Sequence, residues 1–578
     1  MIAKFALPVF LLAGSMLVSP APALANGEDA ITPVTGPQGQ GVTLSGPATL
    51  ADALASIRAG RWDVARTQIE SMRDRQLAAY ARAEFLLAPS SPRADGAELR
   101  ALLNEAPNLP QAARLASLAQ RRGVSDLPSL PGLQRLGWAG GSPRRGNPRS
   151  VADPMLGNLG RDIQARITAD DPTGAESLLL AAETRLAPAT LTEWRQRVAW
   201  SYYIENDDTN ARRVAALAQN GAGEWVAQAD WTQGLAAWRQ GDFRSAMIAF
   251  RNVATRATED ELEAAGQFWF ARAATASGLP QEAQPALRRA ASLPETFYGQ
   301  LASESLGIRD NLTGSDADVA ARRRVAALPN VRTAMALATA GETRLADETL
   351  RYQARIGQPQ DHAALLAIAG ELNLPETQLY LAHNAPSGVR PGGLARFPAP
   401  NWTPASGWRV NPALVFAHAL QESQFRARVV SPAGAVGLMQ VMPGTANQMG
   451  LQSMGGDLTN PAVNMALGQS YIEHLRDNPV TGGLLPKVIA AYNAGPTPVA
   501  RWNSEVRDNG DPLLFVESIP YWETRAYVGT VLRNLWIYER QLGSVSNTRA
   551  MMAQGRWPTV PGPGGTAIAS NNRASGGN

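Results

Sequence analysis

Glu422 is the only acidic residue between His418 and Gly450, and neither Asp nor Glu occurs from residue 423 to residue 456. It stands at the end of an apolar segment, ALVFAHALQESQF, that opens on Asn411 and Pro412. An Asn side chain can cap a helix, and proline suits the first helical position. At about 100° per residue, Leu414, His418, Gln421 and Phe425 share one stripe within about 60°, with Glu422 at its edge. A carboxyl there is poorly solvated, so its pKa should rise. A Glu still protonated near neutral pH is what a general acid at a sugar–sugar bond requires. The alternative is a Glu near a helix C-terminus paired with Arg426 or Arg428, and helix geometry alone leaves both open.

Three further blocks follow. SPAGAVGLMQVMPGTA holds three glycines and two prolines, so the chain turns tightly and can bring backbone close to a ligand. VIAAYNAGPTPVARW ends a helix with Tyr492 and Asn493 just ahead of Gly495. FVESIPYWETRAYVGTVLRNLWIYERQL opens the last helix, with Glu517 at its approach. The chain has no cysteine, which excludes thiol catalysis and cysteine zinc sites. Its four histidines, His362, His383, His418 and His474, lack metal-ligand spacing, so neither metal nor cofactor is expected. His418 reads as packing.

The blocks QES, GAVGLMQVMPGTA, AYNAGP and ESIPYWETRAYV, in this order, resemble the soluble lytic murein transglycosylases, whose C-terminal domain is lysozyme-like. FYGQLASESLG (Phe297 to Gly307) extends the likeness less sharply towards that family's superhelical region. The resemblance implies cleavage, without water, of the β-1,4 bond between N-acetylmuramic acid and N-acetylglucosamine. Glu422 matches the sole catalytic acid. It would protonate the departing oxygen, then take the proton of the muramic acid C6 hydroxyl, which closes on C1 as a 1,6-anhydro end. Ser423 would orient the acid, Met439 and Gln440 would line the saccharide cleft, and Tyr492 would place its hydroxyl near Glu422 or the sugar. Asn493 would support that loop, and Glu517 would contact substrate. Hydrolytic glycosidases usually need a second carboxylate, and the substrate's own groups can replace it here. Two alternatives stand beside this reading. One is a muramidase-type hydrolase in which Asp457 or Glu517 approaches Glu422; the other is a helical-repeat envelope scaffold with a degenerate lysozyme-like domain.

The elements that must position these residues are mostly helices. From about Leu50 to Ala385, helical segments alternate with short glycine-containing turns. Small residues, a turn glycine and a large apolar residue recur at offsets 0, 7, 12 and 16, as in Ala53, Gly60, Ala65 and Ile69, and in Gly234, Gly241, Ala246 and Phe250. Ala271, Gly278, Ala283, Leu287 and Ala334, Gly341, Ala346, Leu350 repeat them. The pattern resembles tetratricopeptide-like hairpins and predicts an α-solenoid or superhelix. Trp225, Trp231, Trp238 and Trp269 lie on these helices and read as core. The chain is therefore expected to be mainly all-α: a long superhelix of helical hairpins followed by a lysozyme-like, mostly helical catalytic domain. The expected division is 49–310 for the superhelical domain, 311–390 for a helical linker domain and 391–545 for the catalytic domain, with a disordered tail at 546–578. The Pro/Gly/Arg-rich stretch 126–150 reads as an exposed loop.

At 578 residues the chain is too long for one core. A net charge of +3 gives no electrostatic case for nucleic acid. Lys4, the apolar run Phe5 to Val18 and Ala23-Leu24-Ala25 read as a signal peptide over 1–25, followed by a flexible segment at 26–48. Its run of about fourteen apolar residues is short of the ~20 that span a bilayer. The expected product is a soluble periplasmic protein with no membrane anchor. Its expected partners are peptidoglycan glycan strands, with cell-wall synthesis or envelope proteins possible on the helical array.

Overall fold

The computed structural model describes residues 48–309, 311–314 and 317–563. The expected signal peptide (1–25), nearly all of the 26–48 segment, and residues 564–578 lie outside the described residues. The chain divides into two compact units. One contains 141–314 and the chain from 401 onward, and the other contains 48–140 and 317–400.

In the first unit the turn glycines direct the chain. Helices α1 (Trp225–Arg239) and α2 (Phe243–Arg256) are joined at Gly241, and α3 (Asp260–Ala276) is followed by Gly278 and the helix Ala283–Ala291. Both glycines have positive φ, +77° and +78°, which reverses the chain at no steric cost. Asp242 caps α2 through the Ser245 amide. The expected small-residue crossing is present at Gly234, where an added Cβ would lie 2.5 Å from the Phe250 ring. Trp225, Trp231 and Trp269 are buried and Trp238 is half-buried, with Trp231 and Trp238 packed edge-on against Trp269 at 6.2 and 5.4 Å. They are core, as expected. Helix α4 (Phe297–Ser305) closes this run.

After Asn401 come α5 (Pro412–Ser423), α6 (Pro461–Arg476), α7 (Leu485–Ala494), α8 (Pro512–Ser518), α9 (Trp522–Gln541) and α10 (Asn547–Ala553). Helix α9 is the axis of this part: α5 and α7 pack on it, and Val528, Leu532, Leu535 and Trp536 along it are fully buried. The segment from 546 to 563 is structured, against the expected disorder. Helix α10 packs on α4, its Met552 is fully buried, and Trp536 donates to Thr548 at 3.1 Å. Beyond it, the Leu485 amide donates to Pro558 and the Val560 amide to Gly483, at 2.8 and 3.1 Å. Composition signalled disorder here, but two large side chains, Met552 and Trp557, supply anchors; Trp557 packs on Phe515 at 5.3 Å.

In the second unit, helices Leu50–Arg58 and Trp62–Ser71 turn at Gly60, and Pro329–Thr339 and Thr343–Ile356 turn at Gly341, again with positive φ. The helices after 317 do not make a separate linker domain. Val331, Leu337, Leu350 and Leu365 share one core with Leu54, Tyr80, Leu103 and Leu115, because each set offers a single apolar stripe that needs a complement. The change of unit falls between Pro400 and Asn401, inside the Pro/Gly-rich stretch. Within 126–150, Gly137–Trp138 pairs with Asn384–Ala385 in a two-residue antiparallel ladder, and Gln134 donates to the carbonyls of Ala354 and Gly357. This half of the expected loop is therefore anchored. No helix among the described residues is long and apolar enough to cross a membrane.

Candidate active site

The Asn411 side chain accepts the Ala413 amide at 2.9 Å and starts α5 with Pro412 in its first turn. The helix ends in two successive left-handed residues, Gln424 (φ 55°) and Phe425 (φ 61°). Such conformations cost roughly 1–2 kcal/mol each for residues with a Cβ. Here they tuck Phe425 under the helix beside Phe416, with ring centroids 6.1 Å apart, and leave Glu422 on the last turn. Arg426 donates to the Ser423 carbonyl rather than to Glu422. Among the described residues Glu422 has no ion pair, so the alternative of a salt-bridged surface Glu is not what forms.

Glu422 is half-buried, and its Oε1 accepts a 2.5 Å hydrogen bond from the hydroxyl of Tyr527 on α9. That hydroxyl also lies 2.9 Å from Nδ1 of His418, one turn earlier on α5. Burial pushes the Glu422 carboxyl up to about 7, against a smaller lowering from Tyr527. Burial likewise raises the phenols of Tyr527 and Tyr492, and the nearby Glu422 carboxylate raises them further. Burial drives the His418 imidazole down to about 3, so it is neutral.

The glycine-rich loop is built around Asn464 of α6. This fully buried side chain accepts the Met439 amide at 2.8 Å and donates to the carbonyls of Val436 and Leu458, both at 2.9 Å. Gly437 has φ 79°, and a Cβ there would sit 2.5 Å from the Leu458 carbonyl. Only glycine fits. Tyr492, at the end of α7, donates to the Met439 carbonyl at 2.8 Å and lies against His418, centroids 4.4 Å apart. Asn493 accepts from Thr524 at 2.6 Å and ties its loop to the start of α9.

Several expected site residues sit differently. Ser423 is fully buried and bonds the Ala419 carbonyl at 3.1 Å, not the acid. The Met439 side chain is fully buried against Gly468, so what it offers is its carbonyl. Gln440, itself left-handed at φ 47°, turns its amide back onto the Gly437 carbonyl at 2.8 Å. Glu517 is 4% exposed and accepts from Tyr298 of α4 at 2.7 Å, with Arg145 at 3.7 Å. Tyr298 in turn accepts from the Trp269 indole at 2.8 Å. Glu517 thus faces the helical region, because α8 presents that side to α4. Asp457 is exposed and bonded to Thr459. Sequence reasoning gave no role to Tyr527 or Asn464. Tyr527 stood within the TRAYV block, whereas nothing local distinguishes Asn464.

Comparison with known proteins identifies relatives of the chain. The Transglycosylase SLT domain family matches residues 402–515. The soluble lytic murein transglycosylase of Escherichia coli is 39% identical over 133 residues, 22% of this chain and 20% of that protein. Its Salmonella typhimurium counterpart is 36% identical over 157 residues, 26% of this chain and 24% of that protein. The match thus spans about a quarter or less of the length of these relatives. An endo-type membrane-bound lytic murein transglycosylase A of Klebsiella pneumoniae is 30% identical over 143 residues, covering 22% of this chain and 70% of that protein. In fold, the chain is similar to an inactive mutant of the lytic transglycosylase Slt from Pseudomonas aeruginosa, with TM-score 0.51, 20% identity and 88% of each chain covered. It is also similar to the 70 kDa soluble lytic transglycosylase of Escherichia coli, with TM-score 0.51, 19% identity, and 88% of this chain and 99% of that one covered. The chain belongs to the lytic murein transglycosylase family, with its SLT domain at residues 402–515.

Proposed function

We propose that the protein cleaves the β-1,4 bond between N-acetylmuramic acid and N-acetylglucosamine in peptidoglycan without adding water, leaving 1,6-anhydromuramic acid ends. The observation that carries this reading is the isolation of Glu422: a half-buried carboxyl at about 7, bonded to a phenol, on which no other acid acts. A hydrolase of the two-carboxylate type needs a second acid within about 10 Å on the opposite face of the sugar. Neither candidate acts on Glu422: burial and Tyr527 alone shift its carboxyl, while Glu517 accepts from Tyr298 and Asp457 from Thr459.

Protonated Glu422 gives its proton to the departing glycosidic oxygen. The resulting carboxylate then removes the proton of the C6 hydroxyl as that oxygen bonds to C1. One group positioned against both oxygens serves both steps, and its value near neutrality suits each. The Tyr527 hydroxyl stabilises the carboxylate between them. Tyr492 is near enough for the Glu422 carboxylate to raise its phenol, and it bonds the Met439 carbonyl of the glycine-rich turn; we infer that Gln440, Asn493 and the Met439 carbonyl meet the saccharide there. We further propose a periplasmic location, cell-wall turnover as the role, and envelope proteins as partners of the helical array.

The test is digestion of purified sacculi with counting of new reducing ends. Clearing without new reducing ends supports the reading, whereas one reducing end per cut would make the enzyme a muramidase. Failure to clear under any condition would leave the scaffold reading in its place.

A further inference from the structure

The Tyr527 hydroxyl lies between two groups, 2.5 Å from Glu422 Oε1 and 2.9 Å from His418 Nδ1. Such a chain has two polarities. In one, His418 carries its proton on Nδ1 and donates to Tyr527, and Tyr527 donates to Oε1. In the other, protonated Oε1 donates to Tyr527, Tyr527 donates to Nδ1, and the imidazole proton sits on Nε2.

His418 decides between them. The residue is fully buried, and Nε2 has no hydrogen-bond partner. The second polarity would bury a donor N–H with nothing to accept it; the first leaves only an unfilled lone pair. Orphaned buried N–H groups are rarer than under-filled acceptors, and the nitrogen that bonds a neighbour fixes the tautomer of the other.

We infer that His418 is a positioning residue: its Nδ1–H holds the Tyr527 hydroxyl pointed at Glu422 Oε1, so the proton to be transferred is kept on Oε2. This inference rests on Glu422 being the acid, as proposed above. In the reverse polarity the acidic proton would be committed to Tyr527. Donation from His418 also polarises the phenol and strengthens its bond to the carboxylate, favouring the ionised form that the second step needs. The titratable groups facing Glu422 are His418 on its own helix, Tyr527 from α9 and Tyr492 from α7, with Tyr471 of α6 behind Tyr492. No cation or second carboxylate contributes to its shift.

Nitrogen NMR of histidine-labelled wild type, with His418 assigned by its loss in His418→Asn, reads the tautomer directly. A pyrrole-type signal at Nδ1 and a pyridine-type signal at Nε2 are expected; the reverse pair overturns the inference, whether or not the protein is active. Kinetics on sacculi give the second arm. His418→Leu removes the donor and should lower kcat about ten-fold with KM unchanged, and move the alkaline limb of the kcat profile to higher pH. His418→Asn, whose amide can stand where Nδ1 stood, should recover most of kcat. A Leu variant with wild-type kcat, or an equally folded Asn variant no better than Leu, contradicts the inference alone. An inactive wild type would instead contradict the proposed function.

Discussion

At the scale of the residue, the proposed chemistry rests on one carboxyl, Glu422, whose environment does two opposing things. Burial favours its protonated form, and the Tyr527 hydroxyl favours its ionised form. Glu422→Gln should lower kcat on sacculi by about 10²-fold or more, the usual contribution of a positioned acid–base group, with unchanged circular dichroism; near wild-type lysis would remove Glu422 from its role. The folded-state value, about 7, exceeds the unfolded value of 4.5. Below the unfolded value both states are protonated and burial is unpenalised. Between the two values the unfolded state binds fewer protons, so the stability is lost as pH rises through about 7. Glu422→Gln should therefore raise Tm relative to wild type above pH about 7, by about 1–3 kcal/mol in stability, and match it near pH 4. Equal differences at both pH values would contradict the raised pKa. Because the free enzyme must begin protonated, kcat/KM should also fall as pH rises through about 7.

At the scale of the element, the glycine-rich turn is held against α6 by a few buried polar bonds. Asn464 makes three of them from α6. Asn464→Ala should destabilise by about 2–4 kcal/mol, since three backbone groups lose their partner, and should reduce activity even at temperatures where the fold persists. Gly437→Ala adds a Cβ against the Leu458 carbonyl in a left-handed conformation and should cost about as much. Thermal melts of both variants check these values, and a change under about 0.5 kcal/mol would show that the turn can relax. The sequence made the GLMQ and AYNAG blocks legible as neighbours, and Tyr492 does bond the Met439 carbonyl; it also singled out Glu422 as an isolated carboxyl, which is the acid proposed above. What was not legible is which atom of each block does the work. Ser423 and Gln440 turn their polar groups onto nearby backbone carbonyls, and the Met439 side chain packs on Gly468, because buried carbonyls and apolar side chains near a tight turn take local partners first. Tyr527 reaches the acid from 105 residues further on, a pairing that no local pattern encodes.

At the scale of the whole molecule, the all-α architecture was legible from its periodicity and turn glycines, because those signals are local. The pairing of distant segments was not. The helices after 317 close a core with those before 120, and the chain beyond 546 strengthens the SLT part through Met552, Trp557 and the Leu485–Pro558 bond. Truncation after Ser544 should lower Tm by several degrees or more, since it exposes the face of α9 under Thr548; an unchanged melt would mean the segment is dispensable. Glu517 joins the SLT part to the helices before it through Tyr298. Tyr298→Phe should cost about 1–3 kcal/mol by stripping a buried carboxylate of a donor, with KM for sacculi unchanged. A raised KM with unaltered stability would return Glu517 to a substrate-contacting role. The central claim is that one carboxyl serves as acid and then base and that water takes no part. Digestion of sacculi in heavy-oxygen water, followed by mass analysis of the released muropeptides, tests it most directly. The account predicts unlabelled products one water lighter than hydrolytic ones, absent with Glu422→Gln; heavy oxygen at a reducing C1 would contradict it.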